Sequence, residues 1–257
     1  MIQLFVDNRP FVENPELILL DKDGTLIDIH HYWSSMIQIR SRTICERWLE
    51  GVENRTSIEN HLADSMGVEL ETGRMKPEGP VGVKPRSFIV NVAVNVLRDA
   101  GIAIKHTAME SLFQDVDQAT AKDMLPLLRL LPGVTEFLER ARECDVDLAV
   151  VSTDITERVN KSMEALGIDG YFKTTLGGDA VENPKPAPDL VDVVLQQGHY
   201  SKTKVVIIGD HPVDIQMGIN AGIEKNIGVL TGLTKSEGFQ PYPCTVIEDL
   251  SSLELRS

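Results

Sequence analysis

Cysteine is scarce in this chain. Cys45, Cys144 and Cys244 are the three thiols among 257 residues, and no two form a CxxC pair. An odd, scattered set excludes a disulfide framework, offers no thiolate zinc site and fits a reducing compartment. Long apolar runs are missing as well; none approaches the roughly 20 residues of a membrane-spanning helix. The opening stretch MIQLFVDNRPFVENPE has neither the basic start nor the continuous apolar segment of a secretion signal. A cytoplasmic location with no membrane partner is therefore expected. Runs of Lys and Arg are absent, and 39 acidic against 25 basic residues give a formal net charge of −14. So negative a surface repels nucleic acid, and no nucleic-acid partner is expected. Internal repeats and low-complexity segments are also lacking.

What remains is an ordinary globular composition, 42% hydrophobic and 25% charged. The length suits one large domain, or a core domain with a smaller companion. Residues 17–21 read as a strand. From about 28 to 127 the pattern is mainly helical. HYWSSMIQIRSRTICERWLEG places Trp33, Met36, Ile37, Ile44 and Trp48 close to helical spacing, with Gly51 as a stop. Trp33 and Trp48 read as core residues of that region. SFIVNVAVNVLRDAGI is a second helix despite its Val-rich start, and the Pro/Gly-rich residues 73–86 form a loop. From Leu131 onward strands and helices alternate: TEFLERAREC, DVDLAVVS, ITERVNKSMEALG, YFKTTLGG, PAPDLVDVVLQQG with prolines in its first turn, TKVVIIGD, VDIQMGINAG and KNIGVLTG. Such alternation predicts an α/β fold, a parallel sheet with helices on both faces. The first sixteen residues add an edge strand or stay mobile.

The stretch LILLDKDGTLID poses the functional question. An aliphatic strand ends on Asp21, and Asp23 follows two positions later. Two neighbouring acids at the mouth of a buried strand repel each other unless something cationic sits there or they are solvated. In open α/β sheets ligands bind beyond the carboxyl ends of the strands, and other reactive side chains fall at such ends too. Ser152, Thr153 and Asp154 follow DLAVV, Lys185 lies in NPKPAP, and Asp210 and Asp214 follow KVVIIG. Three acids suffice to hold Mg²⁺, a hard cation that takes oxygen ligands. A hydroxyl and a lysine suit phosphate oxygens. A free carboxylate attacking phosphorus gives an aspartyl phosphate. The bland readings are an ordinary turn at DKDG, helix capping by Asp154, a surface Lys185, a dipole-favoured Asp214 and a solvent-exposed His211.

Taken in order, DKDGT, VVST, NPKP and IIGDHPVD resemble the four motifs of the haloacid dehalogenase (HAD) superfamily, over residues from about 17 to about 232. The helical insertion resembles that family's C1-type cap, and the whole looks like a phosphoglycolate-phosphatase-like member. The resemblance implies a Rossmann-like parallel core, residues 1–27 and 128–257, with a helical cap at 28–127. It further implies Asp21 as nucleophile and Mg²⁺ ligand, and Asp23 as general acid/base whose backbone carbonyl ligates the metal. Ser152 and Thr153 would bind the phosphoryl group and Lys185 would screen it. Asp210 would complete the metal site, with Asp214 behind it.

Within this resemblance an acid at position 23 implies protonation of an oxygen leaving group, as in phosphomonoester hydrolysis or phosphoryl transfer, and the main expectation is a Mg²⁺-dependent phosphatase for a small phosphorylated metabolite. Two other readings stay open: a phosphomutase of the same family, and a phospho-accepting regulatory module. Lys22 departs from the family's apolar or aromatic residue; strand alternation should turn it away from Asp21 and Asp23, and it is given no catalytic role. Arg40, Arg42, Lys84 and Arg86 are candidate specificity residues. The loop around Val81 to Pro85 is a candidate for the cap–core interface.

Overall fold

The computed structural model describes residues 1–81 and 84–256, which divide into two compact units: Met1–Asp28 with the chain from Leu128 onward, and Ile29–Leu127. Gly82 and Val83, at the centre of the Val81–Pro85 stretch, lie outside the described residues.

The first unit opens with β1 (Gln3–Val6) and β2 (Arg9–Glu13), an antiparallel hairpin. Asp7 and Asn8 turn it, at φ 46° and 61°. Asp and Asn tolerate that left-handed backbone better than other side chains do. Strand β3 (Leu17–Leu20) follows, every residue buried. The chain then runs through the second unit and returns as α5 (Val134–Glu143), β4 (Asp147–Val151), α6 (Thr156–Leu166) and β5 (Thr174–Leu176). Next come α7 (Asp189–Gly198), β6 (Val205–Gly209), α8 (Pro212–Asn220) and β7 (Lys225–Val229). A short α9 (Ser236–Phe239), β8 (Thr245–Ile247) and β9 (Leu253–Arg256) close the chain.

The main sheet has the order β5-β4-β3-β6-β7-β8, and every pairing is parallel. β3 and β6 are wholly buried, as continuous aliphatic runs must be when both faces are covered. One face packs Leu17, Leu19, Val205 and Ile207 with Leu190, Val194 and Met217. Strand order reverses at β3: β4 and β5 lie to one side, β6 to β8 to the other. That switch opens a crevice beyond the carboxyl ends, where the acids fall. The terminal residues correct one expectation. Instead of an added edge strand or a mobile tail, β1 pairs with both β2 and β9 in a separate three-stranded antiparallel sheet. The prolines of PAPDL also precede α7 rather than entering its first turn, with Pro188 as the N-cap.

The second unit contains α1 (Ile29–Trp48), α2 (Arg55–Ser65), α3 (Arg86–Asp99) and α4 (His106–Thr120). Each packs on the next, and α4 returns against α1. In α3, Ile89, Val90, Ala93, Val96 and Leu97 are buried, a helical spacing that overrides the β-branched composition. In α1 the buried face holds Tyr32, Met36, Ile37, Arg40 and Ile44, while Trp33 and Trp48 are half-buried. Arg40 lies inward because Asp117 accepts its Nη2 at 2.7 Å and the Phe113 ring lies 4.6 Å from its guanidinium. Arg86 is held by Glu110 at 2.7 Å and by Asp117. Two of the four specificity candidates are thus tied into ion pairs within their own unit. Arg42 is 65% exposed beside Glu59, and Lys84 is exposed 5.9 Å from the Phe88 ring.

Candidate active site

At the end of β3 the Asp21 N–H still donates to the Ile208 carbonyl of β6 at 2.9 Å. Beyond it the chain leaves the sheet in a tight turn. The Lys22 carbonyl accepts from the N–H groups of Leu26 and Ile27, both at 2.9 Å, and Gly24 adopts φ +86°. A Cβ at Gly24 would also fall 2.5 Å from the Asp210 carboxylate. Glycine is required there twice, by conformation and by the approach of that acid.

Asp21, Asp210 and Asp214 are all buried, with ligand oxygens within 4.8 Å of one another. Lys185 Nζ donates to Asp21 Oδ1 and to Asp214 Oδ1, each at 2.6 Å. Asp214 Oδ2 accepts from the His211 N–H at 3.0 Å, while His211 Nδ1 accepts from the Val213 N–H at 3.3 Å. These two bonds form a capping box at the start of α8, with Pro212 in the first helical position. His211 is therefore not the exposed residue expected but the half-buried N-cap.

Burial pushes Asp21 up to about 6, with the Asp214 charge adding to it and Lys185 opposing. Asp210 is raised well above the usual carboxylate range by burial and then by Asp21 and Asp214. Burial disfavours a charged Lys185, but Asp21 and Asp214 outweigh it and keep the ammonium. Burial lowers the imidazole of His211.

Does this set suit a hard divalent cation? Three carboxylates face one ammonium, so negative charge is in excess. Asp210 is 4% exposed, and among the described residues it accepts one long bond, from the Leu233 N–H at 3.4 Å. So poorly satisfied a buried carboxylate calls for a cationic partner. An all-oxygen donor set matches Mg²⁺. Asp214 has an oxygen on Lys185 and the other on a backbone N–H, which leaves Asp21 and Asp210 freer to hold a cation.

Asp23 lies on the other side of the turn, and here the expectation for Lys22 is overturned. Strand alternation ends at Leu20, so it does not govern residue 22. The Lys22 side chain is fully buried, with Nζ 2.8 Å from Asp154 Oδ2 and 3.1 Å from Asp23 Oδ2. Asp154 Oδ1 accepts from the Ile155 N–H at 2.8 Å and from Arg158 Nη1 at 2.7 Å. Asp154 is thus not the N-cap of α6, a position occupied by Ile155; Asp179 instead reaches back to the Thr156 N–H at 2.7 Å. Burial raises Asp23, with Lys22 opposing. Burial likewise acts upward on Asp154, but Lys22 and Arg158 outweigh it and hold that carboxyl below its usual range. Ser152 is buried just past β4, its Oγ accepting from the Asp154 N–H at 3.1 Å, whereas Thr153 is exposed.

Reading the sequence alone missed Lys22, Arg158 and the loop after β7. In that loop Thr231 Oγ1 donates to the Gly24 carbonyl at 2.6 Å, and a Cβ on Gly232 would fall 1.7 Å from the Asp210 carboxylate. A usable signal existed for the loop, since TGL follows a strand that neighbours β6. The partners of Lys22 carried none.

The parallel α/β core thus gathers three acids and a lysine at the carboxyl edge of its sheet, where open α/β folds bind ligands. The family model described as Haloacid dehalogenase-like hydrolase matches residues 57–227, and the chain belongs to that family. Pyrophosphatase PpaX of Listeria monocytogenes is 33% identical over 89 residues, 35% of this chain and 41% of that relative. The chain thus spans about two fifths of the length of the first curated relatives it matches. A phosphoglycolate phosphatase of Pseudomonas putida is 26% identical over 93% of this chain and 78% of its own. Among solved structures, one described as a predicted phosphoglycolate phosphatase from Haemophilus somnus superposes with a TM-score of 0.68. It is 19% identical and covers 93% of this chain and 96% of that one, a likeness of fold.

Proposed function

We propose that this chain is a Mg²⁺-dependent phosphatase that hydrolyses a small phosphomonoester through an aspartyl phosphate on Asp21. The observation that carries the reading is the convergence of Asp21, Asp210 and Asp214 within 4.8 Å, with Lys185 at 2.6 Å from two of them. Asp21 and Asp210, with the backbone carbonyl of Asp23, would hold the cation. Bound Mg²⁺ would neutralise the acids and polarise the phosphoryl oxygens.

In the first step an Asp21 carboxylate oxygen attacks phosphorus. The bond to the leaving oxygen breaks, and that oxygen takes a proton from Asp23. In the second step water loses a proton to Asp23 and attacks the phosphorus of the aspartyl phosphate. The bond to Asp21 breaks, inorganic phosphate leaves, and both residues return to their starting states. Ser152 donates its hydroxyl to a phosphoryl oxygen, with Thr153 beside it, and Lys185 offsets the charge that accumulates on phosphate and nucleophile. The buried Asp214 keeps Lys185 in place. We assign the helical unit the part of a cap.

The test is phosphate release from a small aryl phosphate, with Mg²⁺ and with chelator, by the natural chain and by Asp21→Asn. Metal-dependent release that disappears in the variant is the expected result. Release that survives either chelator or the substitution would remove the reading. The same assay run with and without a sugar bisphosphate separates hydrolysis from mutase turnover.

A further inference from the structure

Lys22 has no part in the reaction just described, yet it is buried between two carboxylates at the centre of the turn. We propose that Lys22 is a positioning residue for Asp23: it holds Oδ2 of that carboxylate and thereby reserves Oδ1 for proton exchange with the leaving oxygen. The inference rests on the phosphatase reading and adds a residue to it.

Three observations carry it. First, the ammonium is anchored from behind. Lys22 Nζ is 2.8 Å from Asp154 Oδ2, and Asp154 is in turn fixed by Arg158 at 2.7 Å and by the Ile155 N–H at 2.8 Å. Secondly, the same ammonium reaches one oxygen of Asp23, Oδ2 at 3.1 Å. Thirdly, the other oxygen, Asp23 Oδ1, is buried and has no hydrogen-bond partner among the described residues. A carboxylate has two equivalent orientations about its last torsion. An ammonium fixed on one side removes that equivalence and leaves a single defined oxygen open. Buried polar atoms without partners are uncommon and call for an explanation. Transient proton transfer to substrate supplies one here.

Direct contact between Lys22 and phosphate is the competing role. It fits poorly, because the side chain is fully buried and its charge is already shared by two acids. A purely stabilising role is the other. Buried ion pairs are often no more stabilising than apolar residues of the same volume, so stability alone gives little reason to place a lysine here. The group of Lys22, Arg158, Asp23 and Asp154 is charge-balanced while Asp23 is ionised, and Asp154 still anchors the ammonium when Asp23 carries its proton. Its geometry can then persist through the catalytic cycle.

The experiment compares kcat/KM for phenyl phosphate and para-nitrophenyl phosphate at saturating Mg²⁺. This parameter reports the step in which the leaving group departs. Phenolate needs protonation more than nitrophenolate does, so misplacing the proton donor penalises phenyl phosphate more. Lys22→Met is expected to lose on the order of a hundredfold on phenyl phosphate and about tenfold or less on the nitrophenyl ester. Lys22→Arg is expected to recover part of the difference.

Because Lys22→Met leaves Asp154 short of a partner, Lys22→Met/Asp154→Asn is measured beside it. That pair of changes removes one charge of each sign, and the same substrate ratio is expected. Equal losses on both esters in whichever variants fold would overturn the inference while leaving the phosphatase reading intact. A natural chain inactive on both esters and on a panel of natural phosphomonoesters would overturn that reading, and this inference with it.

Discussion

The turn after β3 separates two lysine-centred halves, and they are built on opposite principles. Lys185 and Lys22 are both fully buried at their side chains, and each ammonium touches two carboxylates. Around Lys185, however, Asp21, Asp210 and Asp214 crowd together. One ammonium cannot neutralise three acids, and Asp21 and Asp210 are both pushed upward. Around Lys22, Arg158 supplies a second cation, and Asp154 is held below its usual range. The first half is electrostatically incomplete and suited to exchanging ligands. The second is closed around Asp154, keeps one oxygen of Asp23 open among the described residues, and is suited to holding a shape.

Substitutions in the first half should therefore fall on chemistry alone, and those in the second on stability as well. The largest effect is expected from Asp21→Asn, which removes the proposed nucleophile. Phosphate release should fall at least about ten-thousandfold, about 5 kcal/mol in the barrier, while thermal unfolding shows a protein no less stable than the parent. A folded variant with substantial residual turnover would break the comparison. Next is Asp154→Ala, which strips Lys22 and Arg158 of a shared partner in a buried setting. Loss of one member of such a group costs about 3–5 kcal/mol, readable as a lower urea midpoint at unchanged slope. A shift under about 1 kcal/mol would show that the second half is not closed in the way described.

Metal supplies the next contrast. Mg²⁺ at about 100 times its Kd should stabilise the natural chain by about 2.7 kcal/mol, through binding to the folded state alone. The same addition should do little for Asp210→Asn and should act almost fully on Lys22→Met/Asp154→Asn. Calorimetry with and without chelator reads all three. If the last variant lost the response, the two halves would be one electrostatic unit.

The two halves also differed in how far they could be read in advance. Leu17–Leu20, Asp147–Val151 and Val205–Gly209 are aliphatic runs ending abruptly in polar residues, and pairing them in parallel brings Asp21, Asp210 and Asp214 to one edge. Backbone topology alone does that work, and Lys185 reaches the same place from a loop at the same edge. Lys22 escapes the alternation rule because its strand ends at Leu20, two residues earlier. Its partner Asp154 lies 132 positions away, and nothing local announces such a pairing. The same holds for β9, whose residues pair with β1 from the opposite end of the chain. In the helical unit, Arg40 looks like a surface charge until Asp117 and Phe113 are brought against it. Periodicity reports which faces are buried, not which charges have found partners there.

The smallest effect serves as a control at the opposite edge of the sheet. Tyr200 Oη donates to Asp147 Oδ2 at 2.7 Å, at the amino end of β4, whereas the acid cluster sits beyond carboxyl ends. Burial, and then this bond, push the Tyr200 phenol up to about 12. The folded state thus favours the neutral phenol. Its contribution is complete below the unfolded value near 10 and disappears as pH rises through about 12. Tyr200→Phe lacks the hydroxyl at every pH. It should cost about 1 kcal/mol near neutrality, the scale of one partly exposed hydrogen bond. The gap to the natural chain should narrow as pH climbs past the unfolded value, while phosphate release at neutral pH stays at the parental level. Urea unfolding of both proteins across that alkaline range reads the gap directly. A constant gap would mean that the hydroxyl contributes packing rather than a bond to Asp147. A loss of turnover would show that the amino edge of the sheet is coupled to the carboxyl edge, and the separation of structural from chemical ends would no longer hold.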